Sequence, residues 1–355
     1  MFDLWFECSR WTFNKAKELC DALKSAGQKI PGMEQIRDTV LGLLPERFAR
    51  VPFLVKAGGV IDYYIARSNA IKKFKDTGEF QEVGWRSRKN HSQSCRIKPE
   101  SVTKNGIYPR IAGSQLQSEY YKPVSECIFK RKNGRYILFA VIQDVWACET
   151  QASGTVVAVD PGIRTFLTWY AGDSCGKIGE QDFNRIFRLC KNLDNLISKR
   201  ALSRNHRERR ALKKATDRLR NRIRDLITEL HRKAALFLVS NFDVILLPTF
   251  ETKQMTERIK RRISSKSARS LLTFSHFKFK QFIKFKALQH GKLVIDVNEA
   301  YTTRTVSWTG EVKQVGSAKN ISSGRGSEKV VVDRDYNGAR GIMLRALRAS
   351  SLKAI

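Results

Sequence analysis

The chain has 355 residues, 66 Lys and Arg against 34 Asp and Glu, a formal charge of +32 and 42% hydrophobic residues. That apolar share excludes a disordered chain, and the cationic excess implies a polyanionic partner, nucleic acid before an anionic surface, held by salt-sensitive contacts. No apolar run reaches the length of a membrane span, so no membrane partner is expected; the N-terminus lacks a secretory pattern, and the seven cysteines have no CxxC spacing, so the protein is read as intracellular with reduced thiols.

Residues 1–30 read as a helix, with Trp11, Phe13, Ala16, Leu19, Cys20 and Leu23 along one side. A second helix is expected over 33–48 and a third from Pro52 to Gly78, so 1–78 forms a helical segment. Alternating runs follow. Residues 82–88 and 94–98 read as strands with basic outward residues, and Lys132-Asn133-Gly134 between two apolar runs signals a hairpin. A small β-barrel or an open sheet fits 79–153, ending at the linker 151–154.

The run from Thr155 to Val159 reads as a buried strand that delivers Asp160 at its carboxyl end, and Pro161-Gly162 turns the chain into a hairpin partner over 165–170. Residues 180–241 read as a long helical pair. Its Arg204, Arg207, Arg210, Lys213, Lys214 and Arg218 cluster with few balancing acids, as a phosphate-binding face does; a solvated basic face is the alternative. Residues 243–248 form another buried strand leading to Glu251. A basic helical segment spans 257–286, where Arg261 and Arg262 are further candidate phosphate contacts. Leu293, Ile295 and Val297 alternate along a strand that delivers Glu299, and an apolar run from Val330 meets Asp333 and Asp335 at the start of the last helix.

Carboxylates therefore follow several apolar strands: Asp160, Glu251, Glu299 and the pair Asp333 and Asp335. RNase H-like nucleases need such a set, because carboxylate oxygens must hold two Mg2+ ions, one activating water and one stabilising the leaving oxygen. Taken singly, each acid is a cap or a turn residue; the combination on a chain of this charge points to a metal-dependent nuclease.

These residues also carry a family resemblance. Val159-Asp160-Pro161-Gly162-Ile163-Arg164-Thr165 resembles the first RuvC motif of transposon-encoded TnpB nucleases and their eukaryotic and viral relatives, the Fanzor proteins. The run from Ile245 to Met255 is similar to the Fanzor form of the second motif, and Glu299-Ala300-Tyr301-Thr302-Thr303 and the run from Asp333 to Arg340 are similar to the segments that follow. The resemblance covers 154–355 with specific motifs and 1–150 more loosely. It implies an α/β chain with an RNase H-like (RuvC) nuclease domain over 154–355 that carries inserted basic helices. A helical recognition segment over 1–78 and a small β-barrel-like wedge domain over 79–153 would precede it. The implied activity is RNA-guided, Mg2+-dependent DNA cleavage, with guide RNA and target DNA as partners; the rival is a decayed, cleavage-incompetent guide-RNA or DNA-binding protein. The implied ligands of two Mg2+ ions are Asp160, Glu299 and Asp335, with Glu251 in reserve because Pro248 stands at the strand-end position of the TnpB glutamate. Asp335 is taken rather than Asp333, because relatives keep the Asp two residues before Asn. The location is nuclear for a eukaryotic or viral host and cytoplasmic otherwise. Relatives carry a four-cysteine zinc finger between the last two motifs, here the loop 300–330. Its positions match Val306, Thr309, Ser323 and Gly326, so zinc is not expected and the loop is expected to be looser. The chain also starts close to its first helix, where relatives have a strand, so part of the wedge is expected to be missing.

Overall fold

Apolar residues at helical spacing fold the first part of the chain into α1 (Phe2–Ser25), α2 (Met33–Gly42) and α3 (Phe53–Thr77) in this computed structural model. Residues 1–113, 122–143, 154–180, 182–249, 256, 263–298, 304–313, 318–324 and 329–351 are described by it. Two compact units form, Met1–Val145 and Trp146–Ile355.

In the first unit, Phe13, Ala16 and Cys20 of α1 pack with Ile36 and Val40 of α2 and Val60 and Tyr63 of α3. The expected second helix is shorter than 33–48: it stops at Gly42, and a single 3₁₀ turn follows at Glu46–Phe48. The sheet is built from β1 (Ser92–Ile97), β4 (Cys127–Lys132) and β5 (Arg135–Phe139), with a two-stranded ribbon β2 (Val102–Thr103) and β3 (Gly106–Ile107) and the short helix α4 (Pro109–Ala112) between them in sequence. Cys95, Ile97, Cys127 and Phe129 point inward onto Trp5, Phe6 and Cys8 of α1, so helix and sheet share one core. The β-barrel-like expectation is corrected. Among the described residues the strand order β1-β4-β5 is an open antiparallel sheet with two edges and no closure, because α1 covers the face that a barrel would turn inward. Asn133 and Gly134 both take positive φ, as the hairpin signal requires. Residues 82–88 are irregular rather than a strand. The Asn14 side chain imitates a strand partner there, accepting from the Arg86 N–H at 2.8 Å and donating to the Arg86 carbonyl at 2.9 Å.

The second unit is centred on a five-stranded sheet of order β10-β9-β6-β7-β8. Its strands are β6 (Val156–Pro161), β7 (Leu167–Tyr170), β8 (Cys175–Ile178), β9 (Val244–Pro248) and β10 (Leu293–Val297). The first three run antiparallel as a meander, whereas β9 lies parallel to β6 and β10 parallel to β9. The parallel pairings need crossovers. The first contains the paired helices α5 (Asp182–Leu202) and α6 (His206–Asn241), the second α7 (Ser265–Phe274) and α8 (His276–Gln289). Val157, Val159, Ile245 and Leu247 bury one face of the sheet against α6 and α8. The other face, through Ala158, Leu246 and Val297, packs on Ile342 and Met343 of the last helix, α9 (Arg334–Ser351). Ahead of it lies the antiparallel pair β11 (Asn320–Ser323) and β12 (Val330–Asp333). No helix among the described residues is long and apolar enough to cross a membrane.

Two buried histidines sit in the larger core. His276 stacks on Phe166 and its Nε2–H donates to the Gly162 carbonyl at 3.1 Å; His231 stacks on the same ring and donates to the Phe274 carbonyl at 2.8 Å. Burial lowers the His276 imidazole from 6.5 to about 4. A folded ring that refuses a proton the unfolded ring accepts contributes stability above pH 6.5, and that contribution is lost as pH falls towards 4. Thermal midpoints recorded from pH 7 to 4 are therefore expected to fall less steeply for His276→Phe than for the unmodified chain; identical slopes would refute this.

Candidate active site at the carboxyl edge of the sheet

Strand alternation decides which way Asp160 points. Val157 and Val159 enter the core shared with α6 and α8, whereas Ala158 meets α9, so Asp160 lies on the α9 face at the end of β6. It is half-buried. The first turns of α9 close over it: a Cβ placed on Gly338 would stand 2.4 Å from Asp160 Oδ2 and 3.4 Å from its Cγ. Asp335 precedes Gly338 by three residues, about 4.5 Å along the helix axis and on the same side. The strand end thus sets Asp160 against Gly338, one helical turn along α9 from Asp335.

Asp333 is occupied differently. Its Oδ1 accepts the Asp335 N–H at 2.9 Å, which caps α9, and its Oδ2 takes the Lys177 ammonium of β8 at 2.8 Å. Burial alone would raise the Asp333 carboxyl, but Lys177 and the Asp335 N–H hold it below its usual range. Lys177 also lies over the Tyr336 ring, 5.1 Å from its centre. The Asp335 side chain is 36% exposed against 17% for Asp333, with the Arg334 guanidinium 3.8 Å away.

Glu299 and Glu251 lie outside the described residues, as do Arg261 and Arg262. The strand that leads to Glu299 ends at Val297, in register with Pro248 at the carboxyl end of β9. Among the described residues no three or more His, Cys, Asp and Glu side chains are grouped to hold a metal. Asp160 and Asp335 offer hard oxygen donors of the kind Mg2+ takes. The zinc-finger positions offer none suited to zinc: Val306 is buried and apolar, and the hydroxyls of Thr309 and Ser323 are bonded to each other at 3.3 Å. Gly326 lies outside the described residues.

The cationic candidates stand on the hairpin of α5 and α6. Asn205 caps α6, its side chain accepting from the Arg207 and Glu208 N–H groups. Arg204, Arg207, Arg210, Lys213, Lys214 and Arg218 are all exposed. Farther along α6, Arg220, Arg224 and Arg232 lie near Asp217, Asp225 and Glu229 at 3.6 to 4.0 Å. Sequence reasoning missed Lys177 and Gly338. A lone lysine on a short strand gives no signal; a glycine in the first turns of a helix does, since it marks a close approach there.

Residues 276–342 match the family model described as the TNB domain of Cas12f1-like proteins. “Putative transposase R186” of Acanthamoeba polyphaga mimivirus is 30% identical over 281 residues, covering 76% of this chain and 56% of that protein. “TnpB-like protein L79” of the same virus is 29% identical over 250 residues, 67% of this chain and 46% of that protein. The chain spans about half the length of these curated relatives. Among solved structures, that of the Cas12f1-sgRNA-target DNA complex aligns with a TM-score of 0.53 and 13% identity over 96% of this chain and 81% of that one, a likeness of fold. Together with the motif that ends in Asp160 and the helix that begins beside Asp335, these sequence matches support a TnpB/Cas12f-type family for the chain.

Proposed function

We propose that the chain is a transposon-associated, RNA-guided DNA endonuclease whose second unit is an RNase H-like (RuvC) domain. The observation that carries this reading is the approach of Asp160 to the first turns of the helix that bears Asp335. The sheet supports it as well: a three-stranded meander extended on its inner edge by two parallel strands, with helices on both faces, is the RNase H arrangement. The relatives are a putative transposase and a TnpB-like protein, and the neighbour of like fold is a complex with sgRNA and target DNA, which fits a chain of charge +32.

In this mechanism Asp160 and Asp335, with Glu299 following β10 in sequence, would hold two Mg2+ ions, which when bound would supply an activated water and neutralise the leaving oxygen of a phosphodiester. Asp333 and Lys177 fix the helix start and so aim Asp335. Arg204, Arg207, Arg210, Lys213, Lys214 and Arg218 grip phosphates of the guide–target duplex, as Arg261 and Arg262 would from their own segment. Each alanine at Arg207, Arg210 or Lys214 is expected to reduce the slope of log K against log salt by about one, with no change in sequence preference. Salt titrations of duplex binding measure this, and an unchanged slope in the triple variant would remove these residues from the interface.

The unsuitable zinc donors favour a second reading, a guide-RNA or DNA-binding protein that no longer cuts. One experiment separates the two. The protein is purified with its co-purifying RNA, that RNA is sequenced, and DNA matching it is added with Mg2+. Cutting directed by the RNA supports the endonuclease; binding without cutting across metals and temperatures supports the rival.

A further inference from the structure

Where the family carries a zinc finger, this chain has a hydrogen-bonded knuckle whose residues do not suit zinc. Residues 304–313 form a tight hairpin: the Val306 N–H donates to the Glu311 carbonyl at 2.8 Å, the Lys313 N–H to the Arg304 carbonyl at 2.8 Å, and the Gly310 N–H to the Val306 carbonyl at 2.8 Å. Val306 is fully buried at its base. Side chains then join this hairpin to β11. Ser323 Oγ donates to Glu311 Oε2 at 2.8 Å, Lys313 Nζ donates to the Ser322 carbonyl at 2.8 Å, and Lys313 also pairs with Glu311 at 3.1 Å. The two pieces that a four-cysteine metal site would tie together are thus tied by a serine, a carboxylate and an ammonium.

The same hairpin is bonded to the helix of the candidate site. Asn337 Oδ1 accepts the Ser307 N–H at 2.8 Å and its Nδ2 donates to the Thr305 carbonyl at 2.9 Å; Arg340 Nη1 donates to the Ser307 carbonyl at 2.6 Å and its hydroxyl at 3.1 Å. Asn337 is 1% exposed and follows Asp335 by two residues. A buried amide that uses both its ends on one loop fixes that loop tightly, and its loss strands two backbone groups.

We propose that residues 304–313 and β11 form a metal-independent clamp that holds the first turns of α9, with Asn337 as the positioning residue that ties the clamp to the helix bearing Asp335. The clamp rests on the endonuclease reading for what it positions, but not for how it folds. Zinc content is measured by mass spectrometry on the full chain grown with added zinc, and thermal unfolding with excess 1,10-phenanthroline. Hydrogen exchange over 304–313 and 334–345 is then compared for the unmodified chain, Asn337→Ala and Ser323→Ala. Zinc far below one ion per chain and an unmoved midpoint are expected. Asn337→Ala should speed exchange in the first turns of α9 by about tenfold, and Ser323→Ala should do so mainly within 304–313, keeping the test open if the first variant folds poorly. In the cleavage assay Asn337→Ala should also raise the Mg2+ concentration for half-maximal cutting. Stoichiometric zinc, a midpoint lowered by the chelator, or unchanged exchange in both variants would overturn the clamp. None of these three readouts needs cleavage, so failure of the endonuclease reading would be seen separately, as an unmodified chain that binds but does not cut.

Discussion

On the proposed endonuclease reading, Asp160→Ala is expected to remove at least about 10³-fold of DNA cutting while nucleic-acid binding stays within about twofold. The expectation follows from where Asp160 stands. It ends β6 at the carboxyl edge of the sheet, on the face closed by α9, and its carboxylate is the group that the first turns of that helix approach. The cationic residues of the α5–α6 hairpin are on other elements, so loss of one carboxylate leaves those exposed cations in place. Single-turnover cleavage with the co-purified RNA, beside a binding titration in the same buffer, reads both numbers. Asp333→Asn gives the contrast. It loses the charge that holds Lys177 but keeps an oxygen that can accept the Asp335 N–H, so it should lower the thermal midpoint more than it lowers cutting. If Asp160→Ala cut at the unmodified rate, the two-carboxylate site would be wrong.

Much of the second unit is legible from residue pattern alone. Apolar runs of strand length, one ending in Asp-Pro-Gly and the other in Pro-Thr, mark β6 and β9, and alternation along residues 293–297 marks β10. Helix signals are just as clear in α6, where Asn205 caps the first turn and apolar residues recur at helical spacing. Which elements lie beside Asp160 is a different matter. It depends on the parallel pairing of β6 with β9 and on α9 lying across the sheet, contacts between residues far apart in the chain that periodicity cannot encode.

The expectations that failed did so through side chains acting over long sequence distances. Residues 82–88 alternate like a strand, yet their backbone partner is the Asn14 amide on α1, so no ladder forms. The barrel failed because α1 covers the inner face of the sheet with Trp5 and Phe6, leaving no need for closure. In the described parts of the loop read as looser without its cysteines, Ser323 bonds to Glu311 and Lys313 to the Ser322 carbonyl, and small polar residues carry no such signal in a sequence.

Gly338→Ala is expected to abolish most cutting at little cost in stability, and the separation of the two effects is the test. In an open helix this exchange stabilises by about 1 kcal/mol, because alanine restricts the unfolded chain and favours the helix. Here the new methyl group would stand 2.4 Å from Asp160 Oδ2, closer than such atoms approach one another. The obstructing atom is the end of a short side chain rather than backbone, so the carboxylate turns aside and the helix stays. Folding then loses little, whereas a ligand displaced by an ångström costs about 10²-fold in rate. A double-mutant cycle with Asp160→Ala isolates the cause. On that background there is no carboxylate to displace, so Gly338→Ala should leave the residual cutting unchanged and raise the thermal midpoint. If Gly338→Ala alone cut as fast as the unmodified chain, Asp160 would not act from the position it holds beneath α9; if it unfolded both backgrounds equally, the crowding would lie elsewhere along the helix.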